Sequence, residues 1–242
     1  MGAQDSLVFP VLGVILSNAL YFSPLPAVIQ AARTSRLGSL NVLPQALMVV
    51  STNAWMCYAL SVPDMFIALS NLPGAAAAVG FVSITLPLIP RRDVRARQLV
   101  QVVLVVGTVA MLLLWSALVF GHVPASRRSF ILGAYGSLTC VLLFASPLST
   151  TGKVIATRNA ASIYAPLTAM QVANCFMWTV YGSAISDVWV WGPNSIGLIL
   201  GLVQLLLVCT YSSIPGKATE EHEQLKERDS NSPSDGEPSA SP

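Results

Sequence analysis

A chain of 242 residues that is 54% hydrophobic and only 10% Asp, Glu, Lys or Arg cannot clothe a globular core in charge, so lipid is the expected solvent. Seven of the eleven carboxylates stand after residue 212, and only Asp5, Asp64, Asp93 and Asp187 precede it. The net charge of +2 does not point to nucleic acid, because the basic residues sit in short gaps between apolar runs, where they mark membrane topology.

A hydrocarbon core about 30 Å thick takes roughly 20 residues of helix, and the charge-poor runs supply seven such spans. The first, 6–31, carries Ser23-Pro24; it lacks a basic leader and a small-residue cleavage site, so it is expected to span uncleaved. The second, 42–62, holds Pro44, Ser51, Trp55 and Tyr58, and the third, 65–90, follows Asp64 and holds Asn71 and Gly74. The fourth, 98–121, has neither charge nor proline from Leu99 to Phe120 and reads as a scaffold. The fifth, 129–155, repeats Ser-Pro at Ser146-Pro147, the sixth, 162–184, holds Asn174, Trp178 and Tyr181, and the seventh, 188–212, follows Asp187 and holds Asn194 and Gly197. Residues 213–242, rich in Glu, Ser, Pro and Asp, are expected to be a disordered cytoplasmic tail. The four cysteines lie in apolar stretches without pairing or metal-ligand spacing and read as buried free thiols.

Seven spans put the termini on opposite sides. Eleven of the thirteen Lys and Arg residues fall on the side of the tail, and only Arg127 and Arg128 on the other. The positive-inside rule then places the N-terminus outside and the C-terminus in the cytoplasm of a multi-pass protein, with the plasma membrane the expected location.

Residue types that a membrane helix does not place casually recur at an offset of 123: Gly13 with Gly136, Ser23 with Ser146, Pro24 with Pro147, Trp55 with Trp178, Tyr58 with Tyr181, Asp64 with Asp187, Asn71 with Asn194, and Gly74 with Gly197. Shared lipid composition would not align Trp, Tyr, Asp and Asn in one register. Each repeat holds three spans, so a fourth helix between them restores parallel orientation, about an axis along the membrane normal. The fold expected is therefore an all-α membrane protein of seven transmembrane helices, two parallel three-helix bundles (6–90 and 129–212) joined by a linker helix (98–121).

Ser-Pro in the first helix of each repeat, Trp-x-x-Tyr in the second and Asn-x-x-Gly in the third, in order and twice, resemble the SWEET family of sugar transporters over about residues 6–212. The resemblance implies four hinge prolines forming an inner gate. Pro24, Pro44 and Pro147 match them, while the fourth position falls on Tyr164 by ungapped comparison, with Pro166 two residues on. It also implies that Ser51 and Asn174, one turn before each Trp, and Leu25 and Leu148, beside the first-helix prolines, set the pocket width. Two leucines and an Asn suggest a hexose-sized pocket; plain packing is the other reading of the leucines.

The residues themselves support a site. Trp178 and Asn194 lie symmetrically about residue 186, and Trp55 and Asn71 about residue 63, so helices folding back there bring each pair to one depth. Two indole faces and two carboxamides then converge on the pseudo-twofold axis. A carboxamide donates and accepts as a sugar hydroxyl does, and an indole packs on the apolar face of a pyranose. Interfacial anchoring is the competing reading for a membrane Trp, and it is the one given to Trp189 and Trp191. At the outer end Tyr58, Asp64 and Asp187 either close the pocket by hydrogen bonds or, for the aspartates, are solvated loop residues.

No ionisable side chain of the kind coupled carriers use sits at mid-depth. The expected function is a facilitative, bidirectional sugar uniporter for hexoses working by alternating access, with no cofactor. No enzyme is expected, for want of a nucleophile and base pair, a metal cluster or a phosphate loop. The partners are a small neutral sugar and the lipid bilayer, not nucleic acid, with homo-oligomerisation left open. The rival is a PQ-loop carrier of amino acids or other small solutes, since Pro44-Gln45 is a literal Pro-Gln; a receptor or a trafficking role stands further off.

Overall fold

A computed structural model describes residues 7–38 and 40–211, so the expected tail at 213–242 lies outside the described residues. Seven helical rods run alternately up and down. The first is bent into α1 (Val8–Phe22) and α2 (Leu25–Thr34), because Pro24 has no N–H to continue the ladder. Ser23 repairs part of the break by donating both N–H and Oγ–H to Leu20 O. The second rod is α3 (Val42–Ser61); the third is α4 (Met65–Thr85), tightening into a single 3-10 turn at Leu86–Leu88. The fourth, α5 (Val94–Phe120), starts ahead of the expected boundary because Asp93 caps it, accepting from Ala96 N. The fifth is again bent, into α6 (Ala125–Leu143) and α7 (Ala145–Thr157), with the break just before Pro147. The sixth, α8 (Ala165–Ala184), begins later than expected, with Pro166 in the first turn, where a missing N–H costs nothing. The seventh is α9 (Val188–Tyr211).

The duplication is visible in the backbone. α2 and α7 end at Ser35 and Arg158, 123 residues apart, each in the left-handed region at φ 52°. The helices stop at the same place although the two residue types have nothing in common. Asp64 and Asp187 start the third rod of each repeat by accepting from the N–H groups of Phe66 and Ile67, and of Trp189 and Val190.

Five rods (Val8–Thr34, Met65–Leu88, Val94–Phe120, Ala125–Thr157 and Val188–Tyr211) are long and apolar enough by themselves to cross a membrane. The exceptions are α3 and α8, the second helix of each repeat, and packing explains both. α3 touches α4, α5 and α6, and α8 touches α1 and α9, so polar side chains such as Gln45, Ser51 and Asn174 are enclosed by protein rather than lipid.

The two repeats are interlocked. The first helix of each packs on its own third helix (α1 on α4, α6 on α9) and on the second helix of the other repeat (α1 on α8, α6 on α3). One core cluster consequently spans both halves and the linker, with Trp55, Tyr58, Met111, Leu132, Trp178 and Val190 among its members. The linker helix α5 lies against α3, where Gly107 removes the Cβ that would come within 2.5 Å of Val50 Cγ2.

Candidate functional site

Asp64 and Asp187 mark one end of the rods, and there the repeats are clasped. Tyr58 donates to Asp187 Oδ2 at 2.6 Å and Tyr181 donates to Asp64 Oδ2 at 2.7 Å, each bond crossing between repeats. Each carboxyl uses its other oxygen to cap its own helix, so the clasp is anchored in both backbones. The alternative of solvated loop aspartates does not describe this geometry. One turn deeper, Trp55 and Trp178 meet the same tyrosines edge to face, with centroids 5.5 and 5.8 Å apart.

The glycines of the repeat are places where an aromatic ring must fit. A Cβ on Gly13 would stand 3.0 Å from Trp178 Cε2, and one on Gly136 would stand 3.2 Å from Trp55 Cε2. Each first helix is thus thinned to receive the indole of the opposite repeat. The indole N–H groups are satisfied across the same seam: Trp178 Nε1 donates to Ser17 Oγ at 3.0 Å, and Trp55 Nε1 to Cys140 Sγ at 3.3 Å. Ser17 donates onward to Asn174 Oδ1 at 2.8 Å, while Thr139 donates to Ser51 Oγ at 3.1 Å.

Beyond the clasp lies a cavity of about 500 Å³, within the range of roughly 300–1,000 Å³ common for small-molecule sites. It runs from Trp55 and Asn194 to Pro44 and Leu167, in the first turns of α3 and α8 at the far end of the rods. Among the described residues, no Asp, Glu, His, Lys or Arg lines it.

Of the residues expected at the site, Ser51, Trp55, Asn174 and Asn194 line the cavity, as do Pro44 and Pro147. Trp178 and Asn71 are not among the lining residues; Trp178 donates to Ser17 and Asn71 accepts from Tyr21, both of which line the cavity. The lining is therefore uneven between the repeats, with Trp55 of the first and Asn194 of the second, although the two indoles are buried alike at 7% and 6% exposure. Leu25 and Leu148, 38% and 55% exposed, are not among its lining residues. Leu20, Leu143, Phe144 and Leu200 form the apolar wall instead. Pro166 is exposed on the outside of α8, and Leu167, which stands 123 residues after Pro44, takes the lining position. Pro24 forms the N-terminal boundary of α2 without lining the cavity.

Trp189, expected as an interfacial anchor, packs on α6, over Gly133 and edge to face with Phe130 at 5.2 Å. Sequence reasoning missed Ser17, Cys140, Tyr21 and Phe144. Ser17 and Cys140, and Tyr21 and Phe144, are 123 apart, but a search for identical residue types passes over pairs that differ. Gln204, also missed, ties the bend of the fifth rod to α9 by donating to Pro147 O at 3.0 Å and Thr151 Oγ1 at 3.1 Å.

The family described as sugar efflux transporters for intercellular exchange matches residues 7–89 and 130–215. The chain is 29% identical over 211 residues to the bidirectional sugar transporter SWEET11 of Arabidopsis thaliana, covering 85% of this chain and 71% of that one. It is 25% identical over 201 residues to the sugar transporter SWEET1 of Caenorhabditis elegans, covering 83% of this chain and 64% of that one, so it spans just under two thirds of the worm protein. A solved structure of a eukaryotic SWEET transporter superposes with a TM-score of 0.77 at 25% identity, over 86% of this chain and 96% of that chain.

Proposed function

Because this chain belongs to the SWEET family of sugar efflux transporters, we propose that it carries a small neutral sugar across a membrane by facilitated, bidirectional uniport with alternating access. The observation that carries this reading is a cavity with no Asp, Glu, His, Lys or Arg among its described lining residues, shut at one end by the reciprocal Tyr58–Asp187 and Tyr181–Asp64 bonds and running to the first turns of α3 and α8 at the other. Trp55 supplies a stacking face and Asn194 a carboxamide, with Ser51 and Asn174 flanking them, while Trp178 and Asn71 back the wall. The bends at Pro24 and Pro147 are the hinges that close the far end.

The charge asymmetry supports one orientation. Arg33, Arg36, Arg91, Arg92, Lys153 and Arg158 lie at the end of the rods away from Asp64 and Asp187, and by the positive-inside rule we take that end as cytoplasmic, with the N-terminus outside and the clasp at the outer surface. The arrangement is then the inward-facing state of a plasma-membrane carrier. Gln45 of the Pro-Gln pair accepts from Thr85 and does not line the cavity, so it gives the amino-acid carrier no footing.

We take hexoses as the substrate class, since Leu20, Leu143 and Phe144 wall the cavity and Asn174 is bulkier than its repeat counterpart Ser51. Counterflow in proteoliposomes with labelled glucose, sucrose and amino acids tests the whole reading. Glucose exchange exceeding that of sucrose, with no amino-acid exchange, is expected; amino-acid exchange alone would overturn it.

A further inference from the structure

Asn71 and Asn194 occupy equivalent positions, yet the residues facing them differ. In the first repeat Gly74 leaves room for the ring of Tyr21, whose hydroxyl donates to Asn71 Oδ1 at 3.1 Å. The amide nitrogen of Asn71 is used as well, donating to Ile67 O at 2.9 Å and Ser70 Oγ at 3.0 Å, and the residue is only 6% exposed. Asn71 has no donor left for a ligand and does not line the cavity, whereas Tyr21 does. In the second repeat Gly197 accommodates Phe144, which has no hydroxyl, and Asn194 itself lines the cavity, with Nδ2 donating to Val190 O at 2.8 Å.

We infer that Tyr21 is a substrate-contacting, specificity-determining residue that presents the first repeat's polar atom to the sugar in place of Asn71, which acts as its positioning residue. The inference rests on the sugar-transport reading and deepens it. A phenol is both donor and acceptor, and here its single proton is committed to Asn71 Oδ1. What remains of its hydrogen-bonding capacity is an acceptor oxygen. The first repeat therefore reads a sugar hydroxyl that donates, while Asn194 keeps a carboxamide oxygen and a second N–H and can pair with hydroxyls of either sense. The two halves of a duplicated site then ask different questions of the ring, and a sugar is held in one orientation. Charge redistribution along the chain from sugar hydroxyl to Tyr21 to Asn71 strengthens each bond.

The test compares D-glucose with its monodeoxy and monofluorodeoxy analogues as competitors of labelled D-glucose counterflow, in the full chain and in Tyr21→Phe, Asn71→Ala and the double variant. Fluorine accepts but cannot donate. At one ring position the wild type is expected to lose about tenfold in apparent affinity for both analogues, the scale of a lost hydrogen bond in a buried site. Tyr21→Phe, which keeps the ring over Gly74, should bind glucose about tenfold more weakly and no longer distinguish it from those two analogues. Asn71→Ala in the Phe background should add little, because the two residues form one unit. Wild-type glucose affinity and analogue discrimination in Tyr21→Phe would overturn the inference, and so would additive losses in the double variant. Absence of D-glucose counterflow in the unmutated chain would overturn the hexose reading, and the inference with it; failure of Tyr21 alone leaves that reading standing.

Discussion

At the scale of single residues, the site depends on what is missing at four glycines and on what two deep polar side chains hold. An alanine at Gly74 would place its Cβ inside the Tyr21 ring, so Gly74→Ala should destabilise the protein by about 1–3 kcal/mol. The loss appears as a lower melting temperature in detergent, and adding Tyr21→Ala should recover most of it; a Gly74→Ala protein as stable as the parent would show that the ring moves freely. Pocket width is read from the lining rather than from chain neighbours of the prolines. Leu25→Val should leave the ratio of glucose to sucrose flux unchanged, because Leu25 does not line the cavity, whereas Asn174→Ser should raise the share of sucrose, because Asn174 does. Uptake of the two labelled sugars side by side decides this, and a response to Leu25→Val alone would reverse the assignment.

At the scale of elements, α3 carries the cavity residue Trp55 and the clasp residue Tyr58 one turn apart, and α8 carries Asn174 and Tyr181 two turns apart, so a shift of either helix moves both together. The clasp consists of two bonds between tyrosine and carboxyl, each worth about 0.5–1.5 kcal/mol net. Tyr58→Phe with Tyr181→Phe removes them while keeping the rings against Trp55 and Trp178 and leaving the aspartate caps intact. The state closed at the aspartate end should then lose population roughly tenfold. In a chain whose other cysteines are replaced by alanine, Cys140 on the cavity wall reports it: a membrane-impermeant maleimide applied from that end should label the double variant several times faster than the parent. Equal labelling rates would mean that the clasp does not hold the end shut.

At the scale of the whole molecule, two interlocked repeats enclose a cavity, and the described carboxylates, Asp64, Asp93 and Asp187, all stand at helix starts. With no Asp, Glu, His, Lys or Arg among the described lining residues, net sugar flux should follow the sugar gradient alone. In proteoliposomes an imposed pH or sodium gradient is expected to leave the final sugar distribution at equilibrium, and accumulation above it on acidifying one side would refute uniport.

How much of this was legible beforehand divides along physical lines. Seven spans, the duplication and the bends at Pro24 and Pro147 follow from hydropathy, chemical identity at a fixed offset, and the missing proline N–H, all of which are local or periodic properties of a chain. The match of Trp, Tyr, Asp, Asn and Gly at 123 residues likewise pointed to where the repeats would meet. Which of two equivalent residues faces the cavity is a different kind of fact. Asn71 is held off the cavity under Tyr21, whose hydroxyl bonds it, whereas its counterpart Asn194, in the repeat where Phe144 stands, lines the cavity. Leu25 and Leu148 stand outside the cavity's lining, and α3 and α8 tolerate polar residues because other helices, not lipid, surround them. Those outcomes belong to contacts between segments distant in sequence, which residue spacing along one chain does not encode and only the packed bundle decides.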